Sequence, residues 1–410
     1  MPTTTSCKPL CPMLKKRHNS THRQMIKKLF LAALFFWTII FPDNLFSQNY
    51  CQTNRFVNAN FFTENKIQID TSITYGVAID WLGVVDTQKF HIAYPKLNID
   101  TLQQRPFIML MHGGGYHTED DFSNKNQWNK LCLLLAERGF VAATIDYRVG
   151  WKDPDEDWDP KGKVEPTAVH AVYRAFQDAR AALRYFVHNA SVYGIDTNNI
   201  FIGGRSAGGD ISLHTAFLSQ QNIDSLIATL SIDSHKLLGS LDSSTNSLTE
   251  KYKIRGVINM WGPIPDTVFI DASEAHSIPI IMFHGTDDKS VPYKKFCPPD
   301  YSYTRYGSYY IAQRYKHLGA CYQLNTKLGG GHGEDFDNEF LADHISSFFK
   351  NVLCNTCKSE EFESKVSLKW KIELFFSSGV YLNIIAVIIL IFIIVLLRKF
   401  IRRRKQKLNI

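Results

Sequence analysis

In the stretch Phe201-Ile202-Gly203-Gly204-Arg205-Ser206-Ala207-Gly208-Gly209 a serine stands between a β-rich run and a helix-period run, with glycine two positions before and two after it. A strand-to-helix turn tight enough to lift a hydroxyl clear of a sheet leaves no room for side chains at those two positions, and glycine supplies the space. Ser206 is then presented as a nucleophile, and the amide of Ala207, first in the helix, points where charge would develop on an attacked carbonyl oxygen. A second string, His112-Gly113-Gly114-Gly115-Tyr116, follows the apolar run 107–111. Its three glycines let the backbone fold close to a bound carbonyl and aim the amides of Gly114 and Gly115 at the oxygen. The string lacks both the Lys-Ser/Thr ending of a phosphate loop and the spacing of a dinucleotide fingerprint, so neither nucleotide reading is taken.

A nucleophilic serine needs a base, and the base needs a group that orients it. His284-Gly285-Thr286-Asp287-Asp288-Lys289-Ser290-Val291-Pro292 follows the apolar run 278–283 and offers Asp287 or Asp288 at a strand end. Gly329-Gly330-Gly331-His332-Gly333 follows the next β-rich run and offers an imidazole on a glycine loop. The order serine, aspartate, histidine is that of α/β-hydrolases. Such chemistry calls for no metal and no cofactor.

These pieces must be held by an alternating scaffold. Runs at 107–111, 141–145, 200–202, 256–260, 278–283 and 322–328 read as strands buried on both faces. Helix-period stretches at 127–138, 168–188, 207–218, 308–318 and 336–349 stand between or after them, and 66–75 with 89–94 read as an antiparallel leader. The expectation is one α/β domain over residues 48–358, a mostly parallel sheet with helices on both faces. The alternating stretch 365–374 reads either as an edge strand or as a stalk on a membrane surface within a linker at 359–378.

The chain resembles the α/β-hydrolase carboxylesterases of the HGGG type, a group that includes hormone-sensitive-lipase-like esterases and bacterial feruloyl and acetyl-xylan esterases. The resemblance covers about residues 90–349 and rests on HGGGY, Asp146-Tyr147-Arg148, YGIDTNNIFIGGRSAGGD, Trp261-Gly262-Pro263, HGTDDKSVP and GGGHG. It implies a triad of Ser206, Asp288 and His332, with Asp287 a bystander, and an oxyanion hole of Gly114, Gly115 and Ala207. Arg205 departs from the acidic or small residue common there, and Trp261 from a frequent tyrosine. The substrate expected is a small-molecule or polysaccharide-linked ester, such as an acyl, feruloyl or acetyl ester. Tyr116, Trp151, Trp158 and Trp261 are the candidates to line its pocket, and the tyrosine-rich stretch 293–310 either walls the pocket or packs around a disulfide. Two other readings remain: a serine peptidase of the prolyl-oligopeptidase kind without its propeller, and a silent hydrolase-fold binding protein.

The ends speak of a membrane. Residues 29–41 are uncharged and follow Lys27-Lys28, with a small residue at Ser47, which is the layout of a cleaved signal peptide over residues 1–47 whose true start is then Met25 or Met1. Residues 379–397 are an uncharged run whose helix would span about 28 Å, and a basic tail at 398–410 follows. The positive-inside rule puts that tail in the cytoplasm and the body on the exported side, unless the segment is a sorting signal that is removed. The net charge of +7 comes from the two ends: without residues 1–28 and 398–410 the chain carries an excess of seven acids. An acidic body repels a phosphate backbone, so nucleic acid is excluded as a partner. Among the cysteines, Cys132 reads as a buried free thiol, Cys297 and Cys321 as a disulfide, and Cys354 with Cys357 as structural, with Cys51 a third party.

Overall fold

The computed structural model describes residues 50–117, 125–152, 166–228, 234–297, 304–333 and 336–367, together with residues 370, 391, 393–399 and 402–403. Strands β1 (Ile67–Ile79) and β2 (Val85–Pro95) form an antiparallel hairpin, and β2 runs antiparallel to β4 (Val141–Ile145). From there every neighbour is parallel: β3 (Arg105–Met111), β5 (Ile195–Arg205), β6 (Ile254–Met260), β7 (Ile280–Gly285), β10 (Tyr322–Leu328) and β11 (Glu360–Lys365). The nine-stranded order is β1-β2-β4-β3-β5-β6-β7-β10-β11. A two-stranded ribbon, β8 (Lys295–Phe296) with β9 (Arg305–Tyr306), stands apart from it.

The continuous apolar runs are buried on both sides because alternate residues face different helical layers. Phe107, Met109 and Met111 join the cluster that includes Tyr173, Phe186, Ile211 and Phe217, from helices α2 (Pro166–His188) and α4 (Ala207–Phe217). Ile108 and Leu110 join Leu131, Leu134, Leu341 and Phe349 on the other face, from α1 (Lys125–Glu137) and α9 (Asn338–Leu353). The remaining helices, α3 (Ala190–Tyr193), α5 (Gln220–Ala228), α6 (Ser234–Leu238), α7 (Ala272–Ser277) and α8 (Ser308–Leu318), complete the layers. This is an α/β-hydrolase fold, with the carboxyl ends of all its parallel strands on one edge.

Several expected boundaries move. The hairpin is longer than its alternation suggested, and β5 runs from Ile195 rather than from residue 200. Among the described residues the last strand is Glu360–Lys365, so the sheet extends past residue 358 into the stretch expected as linker, while most of the alternating stretch 365–374 lies outside the described residues. Glu360, Glu361, Glu363 and Lys365 make β11 a charged edge, exposed along its length, which pairs through its backbone and hides from a reading of apolar alternation.

The expected disulfide between Cys297 and Cys321 is corrected, because Cys321 pairs with Cys357. Cys321 immediately precedes β10 and Cys357 precedes β11, and the parallel register Gln323↔Glu360 brings those two strand starts to the same end of the sheet. Cys354 pairs with Cys51, where Lys350 Nζ also donates to the Thr53 carbonyl at 2.8 Å. Both members of the Cys-x-x-Cys pair are therefore structural, and Cys132 is a buried free thiol whose pKa burial pushes up to about 12. The signal-peptide segment 1–47 lies outside the described residues, as does most of the run 379–397. Among the described residues no helix is long and apolar enough to cross a membrane.

Beneath the carboxyl edge, Arg148 and Asp178 form a buried ion pair at 2.9 Å. The Arg148 backbone amide donates to Asp178 Oδ2 at 2.7 Å, and its guanidinium also reaches the Ile79 carbonyl at 3.0 Å and Gln177 Oε1 at 3.1 Å. One arginine thus joins the hairpin, α2 and the loop after β4. Arg148→Met leaves a buried carboxylate without its cation, and the expected loss is about 3–5 kcal/mol of unfolding free energy, read by chemical denaturation.

Candidate active site

Ser206 occupies the turn between β5 and α4 at φ 52° and ψ −116°, a left-handed conformation that costs a non-glycine residue roughly 1–3 kcal/mol. Its neighbours impose that geometry: the Ser206 amide donates to the Met260 carbonyl at 2.9 Å, and the Ser206 carbonyl accepts from the Asp210 amide at 3.0 Å. A Cβ at Gly208 would lie 2.1 Å from the Met111 carbonyl oxygen, and one at Gly204 would lie 2.4 Å from the Gly208 carbonyl carbon. Those two glycines are therefore required by close backbone approach.

The same approach brings the HGGGY loop to the serine. A Cβ on Gly113 would sit 3.2 Å from Ser206 Cβ. Gly114 and Gly115 have φ of 111° and 60°, and Tyr116 follows at 64°, a left-handed run that turns successive amides to one side. The loop is pinned from the segment after β4. Tyr147 donates its hydroxyl proton to the His112 carbonyl at 2.9 Å and stacks on the His112 ring at 4.2 Å. The Gly150 amide donates to the Tyr116 carbonyl at 2.8 Å, and Trp151 Nε1 donates to the Gly115 carbonyl at 3.3 Å. The amides of Gly114, Gly115 and Ala207 donate to no group among the described residues, as an oxyanion hole requires.

Asp288 and His332 meet at the ends of β7 and β10, with His332 Nδ1 2.8 Å from Asp288 Oδ2. An Nδ1–H donating to the carboxylate leaves Nε2 as the free acceptor, which is the tautomer a general base needs. The carboxylate is buried while the imidazole keeps 29% of its side-chain exposure, so Asp288 is enclosed and His332 is open to the surface. Asp288 Oδ1 accepts from the Ser290 and Val291 amides, both at 2.9 Å. Burial alone would raise its pKa, but hydrogen bonds from His284 and His332 and the Val291 amide outweigh it and hold the carboxyl well below the usual range. Asp287 is exposed, and among the described residues its side chain takes the Thr286 hydroxyl at 3.0 Å. Of the two aspartates, Asp288 is the one buried beside His332.

Two residues given no role by sequence reasoning, His284 and Asp210, support this arrangement. His284 sits behind Asp288, its Nε2 2.7 Å from the Val291 carbonyl and its Nδ1 2.8 Å from Ser308 Oγ. Since only an N–H can satisfy the carbonyl, Nε2 carries the proton and Nδ1 accepts from the hydroxyl. Asp210, buried in the first turn of α4, accepts from Tyr116 Oη at 2.8 Å, pairs with His214 Nδ1 at 2.8 Å and forms an ion pair with Arg305 of β9. Burial pushes its pKa up, but Arg305 and His214 more than reverse this and hold it well below the usual range. Its only sequence signal was a carboxylate four residues after the serine.

Three of the four pocket candidates lie among the described residues. Tyr116 and Trp151 are buried, with Tyr116 donating to Asp210 and Trp151 to the Gly115 carbonyl. Trp261, at φ 48° and 5% exposed, stacks on Phe336 at 5.8 Å and meets the His332 ring edge-on at 6.2 Å. It therefore packs directly beside His332. Trp158 lies outside the described residues. Arg205 turns away from the serine, donating to Asn338 Oδ1 at 2.7 Å with its guanidinium 5.9 Å from the Trp261 ring, and burial lowers its pKa to about 10. In the tyrosine-rich stretch, Tyr293, Tyr309 and Tyr310 pack on one another at 5.3–5.8 Å, and Tyr293 contacts the His284 ring at 5.5 Å.

Parts of the chain are similar to known proteins. The family model BD-FAE, an α/β-hydrolase esterase family, matches residues 167–273, which hold β5, the Ser206 turn, α4 and β6. An AB hydrolase superfamily protein of Schizosaccharomyces pombe is 27% identical over 155 residues, a match spanning 36% of either chain. Among solved structures, esterase 2 of Thermogutta terrifontis is similar at 19% identity and a TM-score of 0.45, over 72% of this chain and 97% of that one. A truncated carbohydrate esterase from gut microbiota is similar at 18% identity and a TM-score of 0.46, over 72% and 99%.

Two predictions follow from Asp288. Asp288→Asn is expected to lower kcat by about 10⁴-fold while Asp287→Asn changes it less than about threefold, measured side by side on one activated ester. Because the native Asp288 binds its proton more weakly than the unfolded chain does, its stabilisation is full above about pH 4 and is lost as pH falls below that. The Tm of the parent should drop more steeply than that of Asp288→Asn between about pH 5 and about pH 3.

Proposed function

We propose that the chain is a serine carboxylic-ester hydrolase working through an acyl-enzyme. Ser206 Oγ attacks the ester carbonyl while His332 Nε2 takes its proton, and the resulting oxyanion is met by the amides of Gly114, Gly115 and Ala207. Collapse expels the alcohol, which receives the proton from His332. Water then repeats the sequence on the acyl-serine with His332 again as base, and Asp288 holds the imidazole in its tautomer throughout. The observation that carries the reading is the 2.8 Å Asp288–His332 contact, set on the same sheet edge as a strained serine and three undonated amides.

The substrate class proposed is an acyl, acetyl or feruloyl ester, including esters borne on polysaccharide, in keeping with the esterase family model matched across the nucleophile turn. Export of the body and anchoring through residues 379–397 are part of the same proposal. The disulfides Cys51–Cys354 and Cys321–Cys357 fit an oxidising compartment. Ile391 and residues 393–397, Ile-Ile-Val-Leu-Leu, are 40–56% exposed, a surface suited to lipid rather than water.

Ser206→Ala is expected to lower kcat on p-nitrophenyl acetate by at least about a thousandfold with the fold intact, and to abolish labelling by a fluorophosphonate. A drop below about tenfold would overturn the assignment. Labelling of the parent without ester turnover would favour the peptidase reading.

A further inference from the structure

We infer that the carboxyl edge of the sheet, where the active site lies, faces a lipid bilayer, with the turn between β1 and β2 as its apolar contact. The inference rests on the anchoring proposed above and adds an orientation to it.

The first observation is where the chain leaves the body. β11 is parallel to β10, so it ends at the same edge as β5, β7 and β10, which deliver Ser206, Asp288 and His332. Val366, just past β11, is buried, and its amide donates to the Leu328 carbonyl at 3.3 Å, four residues before His332. Residues 367–378 then separate this point from the apolar run. Fully extended, those twelve residues reach about 43 Å, while a compact body of some 310 residues is about 50 Å across. A tether that short, starting on the active-site edge, favours presenting that edge to the membrane.

The second observation is independent of the tether. β1 is antiparallel to β2, which is antiparallel to β4, so the β1–β2 turn also lies at the carboxyl edge. Its outward residues are apolar: Leu82, Val84 and Val85 are 66%, 58% and 65% exposed. The turn is not a loose loop, because Asp80 Oδ1 accepts from the Leu82 and Val84 amides, both at 2.8 Å, and the Asp80 amide donates to the Val84 carbonyl at 2.8 Å. Its one carboxylate is thereby turned into the turn while the apolar side chains project. Trp81 lies against Gly150, where a Cβ would meet its indole nitrogen at 2.1 Å, and Gly150 donates to Tyr116 of the oxyanion loop. The tip is therefore rigidly coupled to the site. A pre-formed apolar projection beside the active site, on the edge from which an anchor departs, matches the insertion of a few apolar side chains into the headgroup–acyl boundary.

The test uses the full chain in phosphatidylcholine–phosphatidylglycerol vesicles. An environment-sensitive fluorophore is placed on Leu82→Cys, on Val85→Cys, and on Asn98→Cys, an exposed position past β2 at the opposite edge. Folding of each labelled protein is checked by its Tm against the parent. Doxyl-labelled lipid is expected to quench the probes at 82 and 85 by about twofold or more and the probe at 98 by far less. Flotation with the vesicles but no quenching at 82 and 85, or equal quenching at all three positions, overturns the orientation and leaves the anchor standing. Failure to float overturns the anchor and the orientation together, and because flotation is independent of ester turnover, neither result touches the hydrolase assignment.

Discussion

The close approach of Gly208 to the end of β3 is the constraint from which the site follows. With no side chain at 208, the carbonyls of Met111 and His112 press against the first turn of α4, so the strand that feeds the oxyanion loop and the helix that follows the serine share one surface. Gly204 closes the turn from beneath, and Ser206 accepts a left-handed backbone as the consequence. The three amides proposed for the oxyanion come from two different segments, and this contact sets their separation. Preorganisation of that kind is worth more than any single donor, because no reorganisation remains to be done when charge develops.

Buried charge then locks the frame. Asp210 carries the ion pair with Arg305, the contact with His214 and the Tyr116 hydroxyl, so one carboxylate ties the nucleophile helix to the oxyanion loop and to the β8–β9 ribbon. Asp178 does the same for Arg148, the hairpin and the loop after β4. Asp288 is the third, held by two backbone amides and two imidazoles. A buried carboxylate is costly unless every lone pair is met, so each of these sites specifies its partners in a way that apolar contact cannot. The geometry at the catalytic edge is fixed by polar groups, and the bulk of the stability comes from the two apolar layers against the sheet.

At the far edge a different economy holds. β11 buries no side chain of its own, is dominated by charge, and is kept in place by the ladder with β10 and by the Cys321–Cys357 bond. It protects the sheet from edge pairing and determines where the chain departs.

The sequence alone determined the elements whose signal is local. The glycines around Ser206 and at 113–115 announced tight turns, the continuous apolar runs announced strands buried on both faces, and alternation of strand with helix implied a parallel sheet; all of these depend on residues within a few positions of one another. The Cys-x-x-Cys pair and the buried Cys132 were legible for the same reason. Only the tertiary structure decided what depends on distant partners. Cys321 chooses Cys357 because a strand register brings the two together, and β11 exists because β10 offers it a ladder. The contacts of Tyr116 with Asp210, of Trp151 with the Gly115 carbonyl and of Trp261 with Phe336 and His332 also come from the closed fold. Asp210 and His284 gained roles because folding buried them, since a carboxylate or imidazole in a sequence carries no mark of the dielectric in which it will sit. Local chemistry is written in spacing, whereas register, burial and pairing are properties of the closed fold.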